Sequence, residues 1–188
     1  MKIIPQIFYQ TPTLHVTRQL LGAIIETTID GQKTSGIIVE TEAYLSENDP
    51  ACHAGRGMTK RNAVMFNEGG AAYIYLIYGL HYCFNVVTET KGIGCAVLVR
   101  AIEPLQGIEI MRQRRKTSGL ANLTNGPGKV CQALGINLRH NGAALYGRSP
   151  VTIYQGNKLD SAKIECDSRI GISQGKELPY RYFIKIEN

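Results

Sequence analysis

The sequence predicts a single α+β domain in which helices surround a curved antiparallel sheet. Its 188 residues fit one domain, and no linker, repeat or low-complexity segment divides them. Strand-like and helix-like stretches are mixed without a βαβ rhythm, and turn residues join neighbouring strands into antiparallel pairs. We therefore expect residues 1–188 to form one mixed domain with a protruding β-hairpin.

The first strand pair is predicted around an Asp-Gly turn. Residues 22–29 and 35–45 are rich in apolar and β-branched side chains, and Asp30-Gly31 in the segment 29–32 is a strong hairpin signal. In the same half of the chain we expect a short helix at 14–21, a polar loop at 46–58 and a short helix around 60–66.

A second, aromatic hairpin is predicted over residues 71–87. Two β-rich runs flank Tyr78-Gly79, so its tip is expected near Gly79. Proline favours the first turn of a helix, and Asn125-Gly126-Pro127 is therefore predicted to open one. Further elements are expected as a strand at 94–101, a helix that Glu103-Pro104-Leu105 opens and that runs through Arg115, and strands at 150–155 and 180–186.

The charge of the chain favours a polyanionic partner. The formal net charge is +6, with Lys60 and Arg61 adjacent and four basic side chains within residues 112–116. Such a stripe can neutralise phosphates and make binding depend on salt. A solvated helix face gives the same pattern, so charge alone leaves both interpretations open.

Several classes of protein are disfavoured by the sequence. A run of about 18 apolar residues would indicate a membrane span, and none is present. The N-terminus does not resemble a signal peptide, so a cytoplasmic protein is expected, associated with the nucleoid if the source is bacterial. The five cysteines and four histidines show no CxxC pair and no zinc spacing. No nucleophile elbow, P-loop or dinucleotide fingerprint occurs.

The strand predicted at 35–45 carries the first candidate catalytic residues. Side chains alternate between the faces of a strand, so Glu40, Glu42 and Tyr44 are expected on one face. Carboxylates at the end of a buried strand often have perturbed pKa values and act as acids or bases. An edge strand that simply emerges into solvent is the alternative.

The aromatic hairpin carries a candidate DNA contact. Tyr73 and Tyr75 share one face and suit a core, but Tyr78 adjoins the turn glycine, where a core is hard to reach. An exposed aromatic side chain at such a tip can be inserted into a base stack from the minor groove. Arg100 at the end of an apolar strand and Asn85 within another are ambiguous on their own.

Taken together, the motifs resemble the alkyladenine (3-methyladenine) DNA glycosylase family. The resemblance runs in order from about residue 5 to the C-terminus, and its most specific parts are VETEAY, RAIEP and GPGK. The matching segments are Val39–Leu45, His53, Thr59–Asn62, Met65-Phe66, Tyr75–Gly79, Asn85–Val87, Val99–Pro104 and Gly126–Lys129.

The resemblance implies a role for each catalytic and pocket residue. Glu42 matches the general base that activates water, and Arg100 matches the residue that holds this water and Glu42. The positions that line and stack on a flipped purine match Tyr44, His53 and Tyr75, while Asn85 matches the position that crowds the 2-amino group of guanine.

The resemblance also implies how DNA is held. Tyr78 matches the residue that fills the gap left by the flipped base, and Lys129 matches a phosphate contact. Lys60 and Arg61 are further DNA-binding candidates. Leu80-His81 at the tip is not matched to the family's usual residues, and Glu40 is either a structural acid or a partner of the catalytic pair.

The expected activity is that of a monofunctional glycosylase acting on damaged double-stranded DNA. The resemblance places no lysine in the pocket, so a Schiff-base nucleophile is not expected, and no metal or organic cofactor is implied. We expect a monomer without an obligate protein partner. A non-catalytic nucleic-acid-binding module with the same fold, and an RNA-processing protein with a formyltransferase-like fold, are the competing interpretations.

Overall fold

The fold is built on one antiparallel sheet. The computed structural model describes residues 1–157 and 159–185, and eight strands occur within these ranges. Their order is β3-β4-β5-β2-β1-β6, with β8 pairing with both β2 and β7. The strands are β1 Ile24–Ile29, β2 Gln32–Tyr44, β3 Ala72–Ile77, β4 His81–Thr88, β5 Cys95–Gln106, β6 Val151–Tyr154, β7 Ile164–Asp167 and β8 Arg181–Ile184.

Short helices pack against this sheet. They are α1 Gln6–Tyr9, α2 Thr13–Gln19, α3 Ile108–Arg115 and α4 Pro127–Leu134, with 3₁₀ turns at Ala63–Phe66, Leu138–His140 and Ser161–Lys163. Side chains from α2, α4 and the central strands share one core that includes Val16, Phe84, Val99 and Leu134. The α+β prediction is confirmed. None of the helices in the described part of the chain is long and apolar enough to cross a membrane.

Both predicted hairpins are present. In the first, Ile29 pairs with Gln32 around Asp30 and Gly31, which both have positive φ, as a two-residue turn requires. In the second, Ile77 pairs with His81, so residues 78–80 form the tip of the β3–β4 hairpin. The pattern of turn residues between β-rich runs was therefore sufficient to place both turns.

The predicted helix opened by Glu103-Pro104-Leu105 is wrong at its start. These residues belong to β5, which continues to Gln106, and α3 begins only at Ile108. This end of β5 pairs with β2 alone, since β4 pairs with β5 only up to Leu98. Proline is tolerated on such an open side because no partner needs its missing N–H.

The C-terminal region was predicted incompletely. The strands expected at 150–155 and 180–186 appear as β6 and β8, and residue 186 lies outside the described residues. Strand β7 was missed because it is short and mostly exposed, and so lacks the apolar alternation of a half-buried strand. Through β8 this region reaches β2 beside Glu42.

Candidate active site

Strand β2 carries Glu40 and Glu42 into the interior of the sheet. At these residues β2 pairs with β5 on one side and with β8 on the other. The alternative of an edge strand emerging into solvent is therefore wrong. The β2–β5 register shifts on both sides of Glu40, an irregularity that locally bends a strand and is common beside active sites.

Glu42 is fully buried, forms an ion pair with Arg100 and accepts two hydrogen bonds. Its Oε1 lies 3.3 Å from Arg100 Nη1 and accepts from the Ile170 backbone N–H at 2.8 Å. Its Oε2 accepts from the Tyr44 hydroxyl at 2.8 Å. Burial raises the pKa of Glu42, while Arg100, the Ile170 N–H and Tyr44 each oppose that rise.

Glu40 binds two arginines, Arg100 and Arg181, and Arg100 also contacts Glu42. Glu40 Oε1 accepts from Arg100 Nε at 3.3 Å and from Arg181 Nη1 at 3.0 Å. Arg100 therefore bridges Glu40 and Glu42, and Tyr44 completes the chain of contacts on the other side of Glu42. The predicted shared face of Glu40, Glu42 and Tyr44 is thus confirmed, and Glu40 contacts the catalytic candidate Arg100 directly.

An aromatic cavity of about 580 Å³ opens beside this network. The His53 and Tyr75 rings meet edge to face at 4.6 Å, and His53 Nδ1 lies 2.9 Å from the Tyr73 hydroxyl. Burial and the nearby Arg61 lower the pKa of His53, which favours its neutral form at neutral pH. Seven of the sequence-predicted residues line the cavity: Tyr44, His53, Arg61, Tyr75, Tyr78, Arg100 and Lys129.

The tip of the β3–β4 hairpin projects into solvent at the rim of the cavity. Tyr78 is 81% exposed and Leu80 is 76% exposed. Tyr78 has φ of 52°, an uncommon conformation for a bulky side chain. The aromatic side chain predicted to be exposed at the tip is therefore exposed.

A model of the methylpurine-DNA glycosylase (MPG) family matches residues 7–188, which is almost the entire chain. The chain belongs to the methylpurine-DNA glycosylase family. The protein is therefore a DNA glycosylase of alkylated-base repair, which is a hydrolase, and the resemblance drawn from the motifs is confirmed.

Curated relatives cover nearly the same length. A protein of Carboxydothermus hydrogenoformans is 46% identical over 97% of this chain and 95% of its own. One of Prosthecochloris aestuarii is 46% identical over 94% of this chain and 85% of its own, and one of Chlorobaculum tepidum is 48% identical over the same shares. Each is named "Putative 3-methyladenine DNA glycosylase".

Three predicted site residues, Glu42, Asn85 and Lys60, are not part of the cavity lining. Asn85 is buried, and its side-chain amide donates to the Tyr73 carbonyl at 3.0 Å. Asn85 therefore supports the strand that carries Tyr73 and Tyr75. Lys60 is exposed outside the cavity lining, next to Arg61, whose guanidinium donates to the Leu76 carbonyl at 3.2 Å.

Arginines of the basic cluster at residues 112–116 form hydrogen bonds within the protein. Arg114 donates to the Ala133 carbonyl at 3.1 Å, and Arg115 donates to the Leu123 carbonyl at 3.2 Å. These arginines therefore tie α3 to α4 and to the segment that precedes it. Lys129 in the first turn of α4 lies at the cavity rim, and its ammonium donates to Asn125 Oδ1 at 2.7 Å.

Four groups at the site were not predicted from the sequence. Tyr73 was predicted to share a strand face with Tyr75, but its contact with His53 was not predicted. Because Tyr75 was already a proposed pocket residue, the shared face could have suggested that Tyr73 lies near the pocket as well. The Ile170 N–H and the buried ion pair of Asp49 with Arg169 had no local signal. Within the described residues, no cluster of three or more His, Cys, Asp or Glu side chains is placed to hold a metal.

Proposed function

We propose that the protein flips a damaged purine out of double-stranded DNA and hydrolyses its N-glycosidic bond, leaving an abasic site. The expected substrates are 3-methyladenine, 7-methylguanine, hypoxanthine and ethenoadenine. The observation that carries the proposal is the buried Glu42–Arg100 pair, which lies beside an aromatic cavity with Tyr78 exposed at its rim.

Glu42 acts as the general base in this proposal. A base must be ionised and must reach the proton that it removes, and a positioned carboxylate typically contributes about 10²–10⁴-fold to the rate. Arg100, the Ile170 N–H and Tyr44 all favour the charged form of Glu42 against the cost of burial. Glu40 holds Arg100 from behind and so fixes the guanidinium that faces the carboxylate.

The cavity receives the flipped purine. A base within a duplex cannot be reached by the enzyme, and extruding it costs a few kcal/mol. Tyr44, His53 and Tyr75 provide ring surfaces for stacking, and a cationic lesion gains about 0.5–2 kcal/mol from an electron-rich ring face. Neutral lesions such as hypoxanthine depend more on hydrogen bonds, for which His53 offers its second ring nitrogen, Nε2, since Nδ1 is bonded to the Tyr73 hydroxyl.

Tyr78 and the basic rim hold the duplex. Tyr78 fills the gap that the flipped base leaves, since its ring extends from the hairpin tip without packing in the core. Lys129 and the start of α4 lie on the same rim, where a helix N-terminus and an ammonium both attract phosphate. Arg61 and Lys60 extend this positive surface.

An excision assay tests the proposed function. Duplex oligonucleotides carrying hypoxanthine or ethenoadenine, and methylated duplex DNA, are incubated with the protein in the presence of EDTA. We expect release of free base and strand breaks only after alkali, because the proposed nucleophile is water activated by Glu42, while the Lys129 ammonium at the cavity rim donates to Asn125. Breaks without alkali would contradict the monofunctional reaction. No release from any substrate would leave a lesion-binding protein as the better account.

A further inference from the structure

A buried ion pair joins two loops that border the active site. Arg169 lies in the β7–β8 loop, residues 168–180, and Asp49 lies in the loop that follows β2. Both side chains are fully shielded from solvent. Arg169 Nη1 and Nη2 each donate to one Asp49 carboxylate oxygen at 2.6 Å, so the pair is bidentate.

The pair also fixes the backbone on both sides. Arg169 Nη1 donates to the Ala43 carbonyl at 2.9 Å, and Nη2 lies 3.4 Å from the Gly175 carbonyl. Asp49 in turn accepts from the Leu45 N–H at 3.1 Å. The end of β2, the loop after it and the β7–β8 loop are therefore tied at one point.

The two hydrogen-bond donors to Glu42, Ile170 and Tyr44, both lie next to Arg169. Ile170, whose N–H donates to Glu42 at 2.8 Å, is the residue next to Arg169. Tyr44, whose hydroxyl donates to the other oxygen, lies with its ring 4.7 Å from the Arg169 guanidinium carbon. A shift of Arg169 would therefore move both donors relative to the carboxylate.

We propose that the Arg169–Asp49 pair is a positioning device for the reaction, holding the β7–β8 loop so that the Ile170 N–H and Tyr44 keep Glu42 charged. The inference rests on the proposed role of Glu42 as base. Neither Arg169 nor Asp49 contacts the cavity side of Glu42, so both act through other residues. Their removal is expected to raise the pKa of Glu42, because two groups that oppose the effect of burial are lost.

Other charged and titratable groups also lie near Glu42 and interact with it. They are Arg100 on β5, Glu40 and Tyr44 on β2, Tyr75 on β3, Cys83 on β4 and Arg169 itself, with Arg181 on β8 bound to Glu40.

Asp49→Asn separates positioning from simple electrostatics, because the two effects have opposite signs. Removing the negative charge of Asp49 while Arg169 stays charged makes the surroundings more positive, which by Coulomb interaction alone lowers the pKa of Glu42. Loss of the Ile170 hydrogen bond raises it. We expect an upward shift of about one pH unit, since a hydrogen bond to a charged group is worth roughly this much.

The pKa of Glu42 is measured in the free protein by ¹³C NMR of labelled glutamate carboxyls, with the Glu42 signal identified by its loss in Glu42→Gln. Single-turnover excision is measured against pH on the same variants. A carboxylate with a raised pKa loses its charge at a higher pH, so the acid limb of the Asp49→Asn profile should move upward. Its rate should approach that of the wild type at high pH.

A second variant controls for misfolding of Asp49→Asn. Asp49→Asn leaves an unpaired buried charge, whereas the double variant Asp49→Leu/Arg169→Met removes both charges, a replacement that proteins often tolerate. It should show the same upward shift. Glu165→Gln is the matched control, because it removes the exposed Glu165–Lys185 pair from the same C-terminal region and should leave both measurements unchanged.

The outcomes distinguish the inference from the proposed function. An unchanged or lowered Glu42 pKa in the folded variants, with a rate lowered by the same factor at every pH, would show that the pair only stabilises the fold. An upward shift in a protein whose wild type releases no base would support the positioning role and contradict the glycosylase reaction proposed above.

Discussion

The surroundings of Glu42 and the tip of the β3–β4 hairpin are built in opposite ways. Glu42 is fully buried, and its two oxygens accept two hydrogen bonds and contact the Arg100 guanidinium. At the tip, Tyr78 and Leu80 are more than three-quarters exposed, and Tyr78 has positive φ. A buried, tightly held carboxylate suits bond cleavage, whereas an exposed ring suits contact with a partner.

This difference implies that catalysis and lesion engagement can be separated by mutation. Tyr44 and Arg100 of the buried network and Tyr78 of the tip line the same cavity. Changes at Glu42 should therefore alter the rate of excision, and changes at the tip should alter binding.

The largest effect is expected for Glu42→Gln. The amide cannot accept a proton, so the single-turnover excision rate should fall by about 10²–10⁴-fold. Binding to lesion DNA should be almost unchanged, because Glu42 lies behind the cavity surface and is fully buried. Excision is measured with enzyme in excess over the lesion duplex, and binding is measured on the same duplex.

Glu165→Gln is the control for the loss of a carboxylate elsewhere in the chain. Normal turnover in Glu42→Gln would contradict the base assignment. A loss of lesion binding as large as the loss of rate would show that the two regions are not separable.

A smaller effect is expected for Tyr78→Ser. Stacking of a base on an aromatic side chain is worth about 1–3 kcal/mol, so affinity for a lesion duplex should fall by roughly tenfold or more. Affinity for undamaged DNA should change less, because it depends mainly on phosphate contacts. Both affinities are measured by titration at one salt concentration.

Leu80→Ser is the matched comparison at the same tip, since Leu80 is similarly exposed but lacks a ring. It should weaken lesion binding less than Tyr78→Ser. If Tyr78→Ser weakens binding to damaged and undamaged duplexes equally, Tyr78 is a structural residue of the hairpin and not a wedge.

The sequence predicted those parts of the fold and site that depend on local signals. Asp30-Gly31 and Tyr78-Gly79 placed two turns, and the alternation of a strand placed Glu42 and Tyr44 on one face. The role of Glu40 stayed open because it depends on Arg100 and Arg181, which lie 60 and 141 residues away in the chain.

Two further positions were missed or misassigned for the same reason. The Arg169–Asp49 pair spans 120 residues, and no local pattern indicates which arginine meets which aspartate. Pro104 was interpreted as the opening of a helix because a proline usually interrupts a strand, and only the open side of β5 makes it acceptable there. Long-range contacts, not local propensity, decided each of these positions.

The smallest effect is expected from two glycine substitutions that compare a packed turn with the exposed tip. Gly107 and Gly79 both have positive φ, 74° and 69° respectively, so alanine at either costs about 1–2 kcal/mol in backbone conformation. A Cβ on Gly107 would lie 2.4 Å from the Lys33 carbonyl oxygen, whereas one on Gly79 would meet nothing within 4 Å. Gly107→Ala should therefore lower the free energy of unfolding by more than Gly79→Ala does, as measured by urea denaturation. Equal losses would mean that the backbone around Gly107 adjusts to the new methyl group as freely as the hairpin tip does. The packed turn would then be less rigid than its contacts indicate.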